Sequence, residues 1–206
     1  MKTPHAILFD LDGVLVRSHE AWFQLMRDAS RFFGGKEVTR KAFEPVFGQG
    51  PEADIAMFGL NCSVDQLNAY FFEHFERYGE DVWVDPEATA LLDALDRANL
   101  RHVIVTNTMT PLAQNILKQA GLFDRFDHVF GADQVLHGKP DPAILFLALK
   151  RLGLKSGQAW MIGDSRFDLE AARAAHVFFV GYGGLEGDRK IEHLRELPAL
   201  LDAHGR

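Results

Sequence analysis

Four short runs of apolar residues recur along the chain, at 6–9, 102–106, 159–163 and 177–181, and each ends where polar residues or glycine take over. A weaker fifth lies at 127–131. Within each run the apolar residues are consecutive rather than alternating, which is the pattern of strands buried on both faces of a parallel sheet. Between the later runs the period becomes helical, predicting helices over 86–98, 111–121, 142–152 and 168–175. Pro86, Pro111 and Pro142 fall where a first-turn proline is tolerated, and Gly121 and Gly153 fall where helices end. Strand–helix alternation predicts an α/β sheet with helices on both sides.

One stretch breaks this rhythm. Between the first run and Pro86 no strand-like run occurs, but amphipathic patterns do, around 19–33, 41–47 and 64–78, with frequent Phe and Tyr. This predicts a helical insertion over residues 16–84, joined to the core by two linker strands. The core then comprises 1–15 and 85–206, with one or two closing helices in the tail from 188. An insertion after the first strand lies over the carboxyl edge of the sheet, where open α/β sheets bind ligands.

Composition narrows the function classes. With 47% hydrophobic and 25% charged residues over 206 positions, the chain can bury one sizeable core. A net charge of −7 argues against nucleic-acid or anionic-membrane binding, so an anionic substrate must meet positive charge that is placed locally. The single cysteine, Cys62, rules out an intrachain disulfide and is expected to be a small, buried or half-buried residue. No signal-peptide pattern opens the chain and no run is long enough to span a membrane, so a cytoplasmic location is expected.

The runs at 6–9, 102–106 and 159–163, and one loop between them, end in groups suited to phosphate chemistry. Asp10 and Asp12 follow the first run in Asp10-Leu11-Asp12-Gly13. One carboxylate can attack phosphorus while the other handles the leaving-group proton; an Asx turn is the alternative. Thr106-Asn107-Thr108 offers hydroxyl and N–H groups where the chain enters a helix, either as an anion site or as a simple cap. Gly138-Lys139-Pro140-Asp141-Pro142 places a lysine just before a helix that Asp141 can cap. Gly163-Asp164-Ser165-Arg166-Phe167-Asp168 brings two more acids, enough with Asp10 for an oxygen-ligated Mg²⁺, or else a turn and a helix cap. Each bland alternative is credible singly, but four such clusters in this order are not a coincidence.

Together these motifs resemble those of the haloacid dehalogenase-like hydrolases, in particular the phosphoglycolate-phosphatase-like branch with a helical cap. The resemblance covers residues 5–16 and 85–185. It implies a Rossmann-like three-layer core with a parallel sheet and a small α-helical cap. It also implies a Mg²⁺-dependent phosphatase acting on a small phosphorylated metabolite through an aspartyl-phosphate. Asp10 is then the nucleophile. Asp12 is the general acid and then the base, and its backbone carbonyl goes to the metal. Thr106 and the backbone of Asn107 hold phosphoryl oxygens, Lys139 steadies Asp10 and the transferring group, Asp164 ligates the metal and Asp168 supports it. Asp12 itself argues for phosphate chemistry, because the dehalogenases of the superfamily lack the second aspartate and the transport ATPases carry Thr there.

The chain departs from the family pattern in places. Arg17 stands where an acid is common and is a candidate contact for a second anionic group, or a plain linker residue. His176 replaces a helix-ending glycine and is expected to take a left-handed conformation. Gly48-Gln49-Gly50-Pro51 weakly resembles a substrate-contacting cap loop, with Gln49 the candidate and an interhelical turn the alternative. His19, Trp22 and Phe47 are expected on the inner face of the cap or in its core. A phosphomutase sharing all four motifs and a non-catalytic phospho-ligand binder remain alternatives. A monomer or a homodimer is expected.

Overall fold

A computed structural model describes residues 3–204. The chain opens with β1 (Ala6–Phe9) and β2 (Val16–Arg17), then α1 (His19–Phe32), α2 (Arg40–Phe43), α3 (Pro51–Phe58), α4 (Val64–His74) and β3 (Trp83–Val84). It continues through α5 (Ala88–Arg97), β4 (Arg101–Thr106), α6 (Thr110–Gln119), β5 (Val129–Gly131), α7 (Ala143–Leu152) and β6 (Ala159–Gly163). It closes with α8 (Arg166–Ala174), β7 (Phe178–Tyr182), β8 (Arg189–Ile191) and α9 (Leu197–His204).

Six strands form one parallel sheet in the order β5-β4-β1-β6-β7-β8. β1 lies at its centre, with Leu8 opposite Val103 on one side and Met161 on the other. Successive side chains of a strand point to opposite faces, and both faces are covered. Ile7 and Phe9 enter one apolar cluster with α5 and α6, while Ala6 and Leu8 enter a second with α7 and α8. Double-sided burial is why β1 reads as an unbroken apolar run, with all four residues fully buried.

β8 was not anticipated from the sequence. It is the edge strand, and of its three residues only Ile191 is buried, so it carries no apolar run. The tail is therefore β8, a short 3-10 turn and α9, rather than helices alone. α8 begins at Arg166, two residues before the expected start, because Ser165 is the N-cap and bonds reciprocally with Asp168. His176 takes φ 55°, as expected for the residue that ends α8. Asn99 does the same after α5 at φ 54°.

The stretch between β1 and α5 is helical and leaves the core through a two-stranded ribbon. β2 and β3 pair antiparallel, Val16 with Val84 and Arg17 with Trp83. Asp85 secures this junction: its carboxylate accepts from Arg17, from the Tyr182 hydroxyl at 2.9 Å and from the Glu87 N–H at 2.9 Å. Within the insert, Trp22 of α1 meets Phe71 of α4 edge-to-face at 5.3 Å. The pattern at 41–47 becomes α2 plus a 3-10 turn, and that at 64–78 becomes α4 plus a kinked 3-10 segment. α3 was missed because it buries only Phe58, leaving no amphipathic stripe to detect. Among the described residues, no helix is long and apolar enough to cross a membrane.

Candidate active site

Because β4, β1 and β6 are neighbours, the residues that follow their carboxyl ends converge. Asp10 comes directly after β1, and its N–H continues the ladder to Ile162 O at 2.9 Å. Thr106 ends β4, and Asp164 follows β6. Lys139 arrives from the loop before α7, whose first turn is capped by Asp141 Oδ1 accepting the Ala143 N–H.

Lys139 organises the centre. Its Nζ lies 2.8 Å from Asp10 Oδ1, 2.6 Å from Asp168 Oδ1 and 3.1 Å from Val105 O. An ammonium has three protons, so all its donors are engaged. Burial by itself would push Lys139 toward the neutral amine. The charges of Asp10 and Asp168 outweigh that and raise it above the ordinary lysine range.

The acids respond in the opposite sense. Burial, then the charge of Asp168, raises Asp10 to about 7 although Lys139 lowers it. Burial, then the charges of Asp10 and Asp168, raises Asp164 to about 8. One lysine is too little positive charge for three carboxylates whose ligand atoms lie within 4.8 Å of one another. Asp168 has both oxygens occupied, Oδ1 by Lys139 and Oδ2 by the N–H and hydroxyl of Ser165. Asp164 Oδ1, by contrast, is buried with no hydrogen-bond partner among the described residues. A buried, unsatisfied carboxylate oxygen beside a second carboxylate short of charge fits a hard divalent cation, with Asp10 and Asp164 as the open ligands. Backbone packing fixes Asp164: a Cβ on Gly13, at φ 88°, would stand 2.0 Å from Asp164 Oδ2.

Asp12 is held separately. Oδ1 accepts from the Ser18 hydroxyl at 2.6 Å and from Trp22 Nε1 at 2.8 Å, and Oδ2 accepts from the Thr108 hydroxyl at 2.8 Å. Asn107 bridges core and insert through its side chain. Nδ2 donates to Lys139 O and to Gly48 O, each at 2.8 Å, and Oδ1 accepts from the Lys139 N–H at 2.8 Å.

Asp10, Asp12, Thr106, Asn107 and Lys139 thus line one cavity beneath the insert, with Asp164 and Asp168 clustered against Asp10. The structure does not bring Arg17 there: its side chain is 65% exposed and pairs with Asp85 at 3.2 Å. Gln49 stands at an adjoining outer pocket and donates to Asp54 Oδ1 at 2.7 Å. Trp22 and Phe47 do line the inner cavity, and His19 stacks on Phe47 at 3.8 Å. The sequence did not point to Ser18, Asp54 or Asn68, nor to a separate role for Thr108. Thr108, two residues from Thr106 in one short loop, carried the clearest signal among them. Asp54 and Asn68 lie on helices whose place over the sheet edge only the fold reveals.

A parallel α/β core with a lysine-bridged carboxylate cluster at its carboxyl edge, beneath a helical insert, is the make-up of a hydrolytic enzyme built for an anionic substrate. The chain belongs to the haloacid dehalogenase-like hydrolases, whose sequence profile matches residues 4–176. An N-acetylmuramic acid 6-phosphate phosphatase of Pseudomonas putida is 28% identical over 96% of both chains. A phosphoglycolate phosphatase of Xanthomonas campestris is 31% identical over 85% of this chain and 81% of its own. Among solved structures, a hydrolase from Pseudomonas syringae superposes with a TM-score of 0.85 at 24% identity, covering 98% of this chain and all (100%) of its own. The enzyme is a phosphatase of this family.

Proposed function

We propose that the enzyme hydrolyses a small phosphomonoester, of the phosphoglycolate, sugar phosphate or nucleoside monophosphate kind, through a covalent phosphate on Asp10, with Mg²⁺ as cofactor. The observation that carries this reading is Asp10 at the cavity floor, 2.8 Å from a fully engaged Lys139. That contact holds the carboxylate in position and opposes its charge.

In the first step an Asp10 oxygen bonds to phosphorus as the bond from phosphorus to the alcohol oxygen breaks. Asp12 gives that oxygen its proton. In the second step Asp12 takes a proton from water, the water oxygen bonds to phosphorus, and the bond to Asp10 breaks to restore the carboxylate. The Thr106 hydroxyl and the Asn107 N–H hold phosphoryl oxygens, and Asp168 keeps Lys139 in place. Mg²⁺ held by Asp10, Asp164 and the Asp12 carbonyl would supply positive charge opposite those oxygens. Residues 16–84 act as a cap that excludes bulk water and selects the alcohol, while 1–15 and 85–206 carry the chemistry.

The test is phosphate release from a panel of phosphomonoesters with Mg²⁺ and with EDTA. Asp10→Asn is expected to lower kcat by about 10³-fold or more. Release that persists in the variant would overturn the nucleophile assignment. Isomerised sugar phosphate formed without free phosphate would replace hydrolysis with a mutase.

A further inference from the structure

The cavity above Asp10 holds an acid that the reaction does not use. Asp54, on α3, lines the cavity together with Asn68 of α4. Its Oδ1 accepts from Gln49 at 2.7 Å, and among the described residues nothing donates to its Oδ2. Much of the remaining wall is apolar: Trp22, Met26, Phe43, Phe47, Phe71 and Leu112. Lys139 is the one cation among the described lining residues, and its donors are spent on Asp10, Asp168 and Val105 O. Desolvation pushes the Asp54 carboxylate up to about 7 against the lowering by Gln49.

These features together discriminate between alcohols. A leaving group bearing its own carboxylate would lose water, find no free cation and crowd the Asp54 carboxyl, where two negative charges are held only at a cost. A leaving group bearing hydroxyls supplies the missing donor, while its C–H surface packs on the apolar wall. We infer that the alcohol this enzyme releases is a polyol or sugar whose hydroxyl donates to Asp54, and that esters with a carboxylate beside the phosphate are disfavoured. This rests on the phosphatase mechanism proposed above.

A set of near-isosteric esters tests it: kcat/KM for 2-hydroxyethyl phosphate, 2-phosphoglycolate and phosphoethanolamine, on the full chain with Mg²⁺, with p-nitrophenyl phosphate as reference. The hydroxyl ester is expected to exceed the carboxylate ester by about 30-fold or more, since a site built to accept a hydrogen bond from a hydroxyl rejects a group that cannot donate one. Asp54→Asn, nearly isosteric and able to donate, is expected to shrink that ratio about tenfold. Its thermal melt reports whether it folds, and the wild-type ratio stands without it. Preference for 2-phosphoglycolate overturns the inference while Asp10-dependent turnover leaves the mechanism intact. Preference for phosphoethanolamine, or a ratio unmoved in folded Asp54→Asn, also overturns it. No turnover of any of the four overturns both.

Discussion

The Trp22 indole N–H donates to Asp12 Oδ1 at 2.8 Å, so a helix of the insert directly holds the second aspartate of the first loop. Ser18 and Thr108 hydroxyls can turn to accept, but an indole can only donate. Oδ1 therefore stays an acceptor, and in the mechanism proposed above the proton that Asp12 transfers belongs on Oδ2. Trp22→Phe keeps the packing against Phe71 and removes the donor. It is expected to lower kcat about 10–100-fold with little change in KM and to shift the pH profile of kcat. An unmoved profile would reduce Trp22 to a packing role.

Lys139→Ala leaves Asp10 and Asp168 buried without their cation, so a loss of about 3–5 kcal/mol is expected in denaturant unfolding. Lys139→Arg should not restore activity, because a planar fork cannot make the three contacts of a compact ammonium. Wild-type-like unfolding of Lys139→Ala would contradict the central role given to that cation.

Stability without metal should fall as pH rises. Asp10 and Asp164 titrate near 7 and 8 in the fold, against about 4 in an unfolded chain. The folded state therefore holds protons that the unfolded state has released. The stabilisation is fully present below about pH 4 and is lost as pH climbs through 7 to 8. In EDTA the melting temperature should drop by about 5 °C or more between pH 5.5 and 8.5, and Mg²⁺ should restore it at the upper end. A flat profile in EDTA would contradict the electrostatics described for the cluster.

Arg17→Ala should change kcat/KM by less than about twofold and stability by about 1 kcal/mol or less, as expected of an exposed ion pair. Asp85→Ala, which strands three donors at the ribbon, should cost more, about 1–3 kcal/mol. A large KM effect for Arg17→Ala on an ester with a second anionic group would place Arg17 at the substrate after all.

The strands that build the sheet were legible where both faces are buried. Ala6–Phe9 announced itself through four consecutive apolar residues, while Arg189–Ile191, at the edge with one buried residue, did not. The loop acids Asp10, Asp12, Asp164 and Asp168 were legible because each follows a strand end or opens a helix. Asp54 and Trp22 were harder. Their roles depend on how helices of the insert lie over the sheet, and that packing leaves no local mark in the sequence. For Arg17 the sequence left two readings, a substrate contact or a linker residue, and the structure shows its partner, Asp85, just past the returning strand of the insert.

The ribbon of β2 and β3 has an evolutionary consequence. The chain departs from the sheet at Val16 and returns at Val84, directly opposite. Everything between can be lengthened, shortened or replaced wholesale without shifting β1 and β6, which Asp10 and Asp164 follow, or the loop that carries Lys139. If residues 16–84 select the substrate as proposed above, chemistry and taste for substrate are separately heritable, and a lineage can change what it consumes while leaving its reaction alone. The exchange is constrained at few places. Any replacement must still offer Asn107 a carbonyl where Gly48 now stands and Asp12 a donor where Trp22 does.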